Sequence, residues 1–134
     1  MNKKQLVIQS NRKDLEKLYP WLEKNFEEIT LEGFSKNNIL LVSFEMATNA
    51  VIHGNKEDNE KVIVLTLETS KNEIIVSILD EGTGQITFPS KEESKELDYL
   101  SENGRGLKLA VLLSDSIEYE NNCMKIVFKK NNNL

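Results

Sequence analysis

The sequence predicts an α+β fold: a two-layer α/β sandwich with helices on one face of a mixed, mostly antiparallel sheet. Three observations lead there. β-rich runs come in pairs joined by short polar turns, which makes hairpins rather than the strand–helix–strand units of a parallel sheet. Two helical patterns precede the first hairpin and another precedes the second, so helices and strands are grouped rather than strictly alternating. At 134 residues and 15.4 kDa, the chain (residues 1–134) has room for one domain with a hydrophobic core and hardly for two.

Residues 4–9 alternate weakly, as an edge strand does. Leu15, Leu18, Leu22, Phe26 and Ile29 then recur at helical steps of three and four. Pro20 falls inside that pattern, so a helix there is kinked or restarted near Tyr19. Gly33 breaks the pattern, and Ser35 is an N-cap for a longer helix running to about His53, with Gly54 as its stop. VIVLTLE (62–68) and EIIVSILD (73–80) form a hairpin around the polar turn Thr69 to Asn72. Residues 83–103 lose periodicity and gain charge, with Pro89 and the run KEESKELD, and an unstructured stretch of that length is usually functional or disordered. A helix follows from about Gly106 to Leu113, then strands near 116–120 and 123–129 that turn at Asn121-Asn122. The tail KKNNNL is expected to fray.

Composition excludes several functions. A formal charge of −5 and a pI near 5.0 argue against a nucleic-acid surface, which needs a basic footprint. No apolar run reaches membrane-span length, and MNKKQLVIQS lacks a signal-peptide core. Cys123 is the only cysteine, so no internal disulfide forms, and a reducing, cytoplasmic setting is the simplest reading. A single histidine speaks against histidine metal sites and Ser-His-Asp chemistry.

Chemistry is concentrated in EMATNAVIHGN (45–55), DEGTG (80–84) and ENGRGLKL (102–109). With Glu45 at zero on a helical wheel, Asn49 falls about 40° away and His53 about 80° away. Most of the remaining surface of that helix is apolar, so it is expected to be largely buried. A buried carboxylate and amide need a ligand, a metal or a dedicated network, although a solvated stripe or an internal network would also account for them. His53, taken alone, reads as a capping or packing residue. Asp80 ends a strand whose Ile74, Val76 and Ile78 share a face, and its carboxylate can accept from an amino group such as that of adenine. Gly82 and Gly84 allow a sharp turn and close approach to a flat ligand, though a plain turn explains them too. At 104–106, GRG opens a helix whose free N–H groups, with Arg105, can face phosphate oxygens.

Taken in order, a helix with Glu-x-x-x-Asn, a strand ending in DxGxG and a loop ending in GRGL resemble the N box and the two glycine boxes of the GHKL ATPase superfamily, whose domain is the Bergerat fold. The match looks closest to the bacterial anti-sigma-factor serine/threonine kinases and covers nearly the whole chain. This resemblance implies that ATP and Mg²⁺ are bound, with Asn49 on the metal and Glu45 as general base. It also implies that Asp80 holds the adenine amino group, that Gly82 and Gly84 shape its pocket, and that His53 belongs to the nucleotide-binding set. Gly104, Arg105, Gly106 and Leu107 would close on the phosphates beneath a lid of residues 83–103. Gln85 stands where a bulky apolar residue is common, and Asn121-Asn122 replaces a usual glycine turn.

The implied function is a protein kinase that phosphorylates a serine of a STAS-type anti-anti-sigma protein and sequesters a sigma factor. Neither nucleic acid nor membrane is an implied partner, and a homodimer is allowed. A non-catalytic, nucleotide-gated binding module and a stand-alone GHKL ATPase are the alternatives. Glu45 favours the catalytic reading.

Overall fold

The computed structural model describes residues 2–95 and 105–131, with the side chain of Arg105 left aside. Strands β1 (Asn2–Gln9), β2 (Val62–Thr69), β3 (Glu73–Leu79), β4 (Ser116–Glu120) and β5 (Cys123–Lys129) form a sheet in the order β1-β2-β3-β5-β4. Every pairing is antiparallel. β1 and β4 are the edges, in agreement with the weak alternation of the N-terminal run.

Alternation assigns the two faces. Leu65, Ile78, Met124 and Tyr119 stand in register across β2, β3, β5 and β4 and point to one side. That side is covered by helices α1 (Leu18–Phe26) and α2 (Lys36–Asn49), whose Leu18, Leu22, Phe26, Ile39, Val42 and Met46 share a core with the strand residues. The other side carries Val7, 57% exposed, and Leu79, 43% exposed. The expected two-layer arrangement with helices on one face is what forms. Among the described residues no helix is long and apolar enough to cross a membrane.

Local chemistry sets the helix ends. A 3-10 turn, Asp14–Lys17, feeds α1. Pro20 therefore lies in the first turn, where its missing N–H has no intrahelical partner to lose. Ser35 caps α2 as expected, its Oγ accepting from the Asn38 N–H at 3.3 Å. Beyond Asn49 the helix widens into a π turn, Ala50–Gly54, closed by the Asn55 N–H on the Ala50 carbonyl at 2.8 Å. Such wide turns frequently occur at functional sites.

One element is absent from the sequence expectation. A short helix α3 (Lys91–Ser94) opens with a capping box in which Ser90 and Glu93 each accept from the other's backbone N–H. It packs on α4 (Arg105–Leu113), where the Lys91 ammonium donates to the Ser114 carbonyl at 3.0 Å. Residues 96–103 of the expected loop lie outside the described residues. The tail is not frayed from Lys129 onward: Lys129 ends β5, Lys130 N–H donates to the Asn72 carbonyl and Asn131 N–H to that of Gly33, each at 2.8 Å. Residues 132–134 lie outside the description.

Candidate functional site

At one end of the helix-covered face a cavity of about 230 Å³ opens between α2 with its π turn, the end of β3, the start of α4 and the β4–β5 hairpin. Met46, Ala50, Ile78, Ile86 and Met124 make much of its wall apolar, and Asn49, Asp80 and Tyr119 supply polar groups. That volume lies below the 300–1,000 Å³ of pockets that enclose whole drug-sized ligands, so it suits one flat ring system with the rest of a ligand outside.

The fold brings Asn49, His53, Asp80, Gly84 and Leu107 to this cavity. Glu45 lies one helical turn before Asn49, and a Cβ placed on Gly106 would be 3.0 Å from its Oε2. The carboxylate thus rests against the first turn of α4. Gly104 and the side chain of Arg105 lie outside the described residues.

The polar stripe of α2 is not buried. Glu45 and Asn49 are half-buried and His53 is exposed, because the stripe faces the cavity mouth rather than the core. Desolvation therefore does not force a partner on Glu45 or Asn49. Among the described residues neither side chain is held by a hydrogen bond or an ion pair, and both are available to a ligand.

Asp80 is the buried member, 5% exposed. Its Oδ1 accepts from the Gly82 N–H at 2.8 Å and its Oδ2 from the Tyr119 hydroxyl at 2.9 Å. Burial and then the bond to Asp80 push the Tyr119 hydroxyl up to about 12, so it remains a donor at neutral pH. Two asparagines anchor the segment that follows. Buried Asn55 donates to the Val62 carbonyl at 3.0 Å and accepts from the Glu81 N–H at 2.7 Å. Asn122 accepts the Asp80 N–H on its own carbonyl at 3.0 Å, and its side-chain amide donates to the Gly82 carbonyl.

Neither Gly82 nor Gly84 needs the left-handed region; among the described glycines only Gly33 has a positive φ. Gly82 answers a packing demand, since a Cβ there would be 2.2 Å from the Gly54 carbonyl oxygen. Gly54 in turn leaves room for Asp80, whose Oδ2 would be 3.0 Å from a Cβ at position 54. Gly84 has open space around it.

Tyr119, Asn122 and Asn55 are the contributors the sequence reading lacked. Tyr119 was detectable in principle: the alternation of SIEYE puts it on the inner face, where a buried phenol needs a partner. Asn121 and Asn122, at φ 52 and 64, are a positive-φ pair of the kind a two-residue hairpin turn demands, and this conceals the second task of Asn122. Asn122→Gly keeps the turn and removes the amide clamp. It should cost about 1 kcal/mol in urea unfolding, the net worth of one hydrogen bond, and speed amide exchange at Gly82. Unchanged exchange there would show that the clamp is idle.

Comparison with known proteins adds the following. A family model described as a histidine kinase-like ATPase domain matches residues 8–130. An anti-sigma F factor of Clostridium perfringens strain SM101 is 30% identical over 120 residues, covering 84% of this chain and 79% of that protein. Anti-sigma F factors of strains ATCC 13124 and 13 of the same species are 29% identical with the same coverage.

Proposed function

The chain belongs to the histidine kinase-like ATPase domain family, and from that premise we propose that it is an ATP-dependent serine kinase. It phosphorylates a STAS-type anti-anti-sigma protein and sequesters a sigma factor. The observation that carries this reading is the placing of Glu45, free and against Gly106, beside a cavity whose apolar walls end in the Asp80 carboxylate. The similarity to anti-sigma F factors supports the choice of partner.

In this reading adenine occupies the cavity and donates its amino group to Asp80. The phosphates run outward past Asn49 to the start of α4, where Gly104, Arg105, Gly106 and Leu107 meet them. Asn49 fits magnesium: its carboxamide oxygen is a hard donor, unengaged and on the cavity wall. One protein oxygen would suffice, since Mg²⁺ commonly takes its other ligands from phosphate and water, and the ion would supply charge neutralisation for the transferred group. Glu45 takes the proton of the partner's serine as its oxygen bonds to the γ-phosphorus and the bond to the ADP oxygen breaks. Phosphoserine, ADP and protonated Glu45 result. Residues 83–103 act as the lid in this reading, although 84–87 already line the cavity and α3 is docked on α4.

The test is to incubate the protein with MgATP and a STAS-domain protein, following melting temperature and phosphoserine together. A ligand at a hundred times its Kd stabilises the fold by about 2.7 kcal/mol, so the melting temperature should climb with MgATP. Phosphoserine should appear on the partner. A flat thermal curve to millimolar MgATP would sink the nucleotide site. Binding without transfer would leave a nucleotide-gated module and remove the kinase.

A further inference from the structure

Tyr119 has a property that packing alone does not require. Its ring belongs to the inner face of β4, beside Met124 on β5, and a phenylalanine there would bury the same carbon surface. Its hydroxyl instead reaches the Asp80 carboxylate across 2.9 Å, and the residue itself lines the cavity.

We infer that Tyr119 is a positioning residue for base selection: with the Gly82 N–H it fixes the Asp80 carboxylate so that only acceptor lone pairs face the ligand. The inference rests on the adenine reading above and deepens it. An ionised carboxylate has no donor and about four lone-pair sites. Here one donor sits on each oxygen, Gly82 N–H on Oδ1 and the Tyr119 hydroxyl on Oδ2. Together they pin the carboxylate plane and leave one lone pair on each oxygen for an incoming group. The Tyr119 proton is committed to Asp80, so toward a ligand the phenolic oxygen can act only as an acceptor.

The consequence is chemical selection. A base carrying an exocyclic amino group at this point finds acceptors for it. A base carrying a carbonyl oxygen there meets lone pairs only, and nothing can donate to it while Tyr119 stays on Asp80. The Tyr119 hydroxyl gives its one proton to Oδ2, so it is not free to serve such a base. Without it the carboxylate keeps only the Gly82 N–H and is free to turn, so its lone pairs no longer meet the amino group squarely.

The measurement compares ADP with IDP, whose base has a carbonyl in place of the amino group, by calorimetry with Mg²⁺ on the wild-type chain and Tyr119→Phe. Wild type should prefer ADP, and Tyr119→Phe should lower the ADP-to-IDP affinity ratio about tenfold, the scale of one hydrogen bond to a charged group. If Tyr119→Phe changes only the melting temperature and leaves the ratio intact, Tyr119 does not position Asp80 for selection and the inference falls alone. If the wild-type chain binds neither nucleotide, the adenine reading itself falls, and with it the inference.

Discussion

Glu45→Ala should fold, bind MgATP within a small factor of the wild-type affinity, and lose about 10²–10⁴-fold in phosphorylation of its partner, the usual size of a general-base effect. The site's geometry separates the two properties. Glu45 is half-buried and unengaged, so its removal leaves no buried group orphaned and opens no core cavity. The groups assigned to hold the ground-state complex are Asp80, Asn49 and the start of α4, and among the described residues none is hydrogen-bonded to the Glu45 side chain. A proton acceptor is needed only while the serine oxygen bonds to phosphorus, so the loss should fall on turnover. The structural alternative makes Glu45 a stability residue and predicts a lower melting temperature with no specific kinetic defect. Melting temperature, nucleotide affinity and phosphoserine formation on the one variant decide the matter. Normal phosphorylation by a folded Glu45→Ala protein would end the mechanism given above.

Gly82→Ala and Gly84→Ala should give opposite results although both glycines belong to one five-residue motif. At position 82 the new methyl would lie 2.2 Å from the Gly54 carbonyl oxygen and 2.7 Å from its carbon, which is backbone and cannot rotate aside. Either the π turn or the DEGTG segment must move, and both hold cavity residues. The expected cost is about 3 kcal/mol, at the high end for overpacking, with loss of nucleotide-induced stabilisation. At position 84 the methyl meets nothing within 4 Å, so stability should change by no more than about 0.5 kcal/mol. Urea unfolding of both variants, with and without MgATP, is the check. Equal losses at the two positions would refute the packing account of Gly82.

The fold was legible because its signals are local. Alternation in 62–68 and 73–80, Ser35 before a helical run, and the Asn121-Asn122 turn each specify a backbone state by short-range sterics and hydrogen bonds, and each is found where expected. The site was legible only in part. Asn49, His53, Asp80, Gly84 and Leu107 meet at one cavity. The burial of the Glu45–Asn49 stripe was misjudged because a helical wheel counts apolar neighbours on one helix and cannot register a cavity at the helix surface. The reason for Gly82 was equally hidden, since it lies in the carbonyl of Gly54, which meets it only after folding. Tyr119 and Asn122 reach Asp80 and Gly82 across 39 and 40 residues of sequence, and no local pattern reports such a partner. α3 is a different case, since Ser90-Lys91-Glu92-Glu93 is a capping box in plain view within a segment read as structureless.

The placement of β5 between β3 and β4 has a consequence for synthesis of the protein. A chain made only as far as residue 113 holds Asn49, His53, Asp80, Gly84 and Leu107, yet its Asp80 would have neither Tyr119 nor Asn122 and its cavity would lack Met124. β3 would also present an unpaired edge. The later hairpin closes that edge and organises the acid in one event, so the site is completed in one step rather than progressively. A chain cut short before residue 122 cannot pass for a working one by retaining ligand. The capacity to hold a ligand thereby reports that the β4–β5 hairpin has been made and folded.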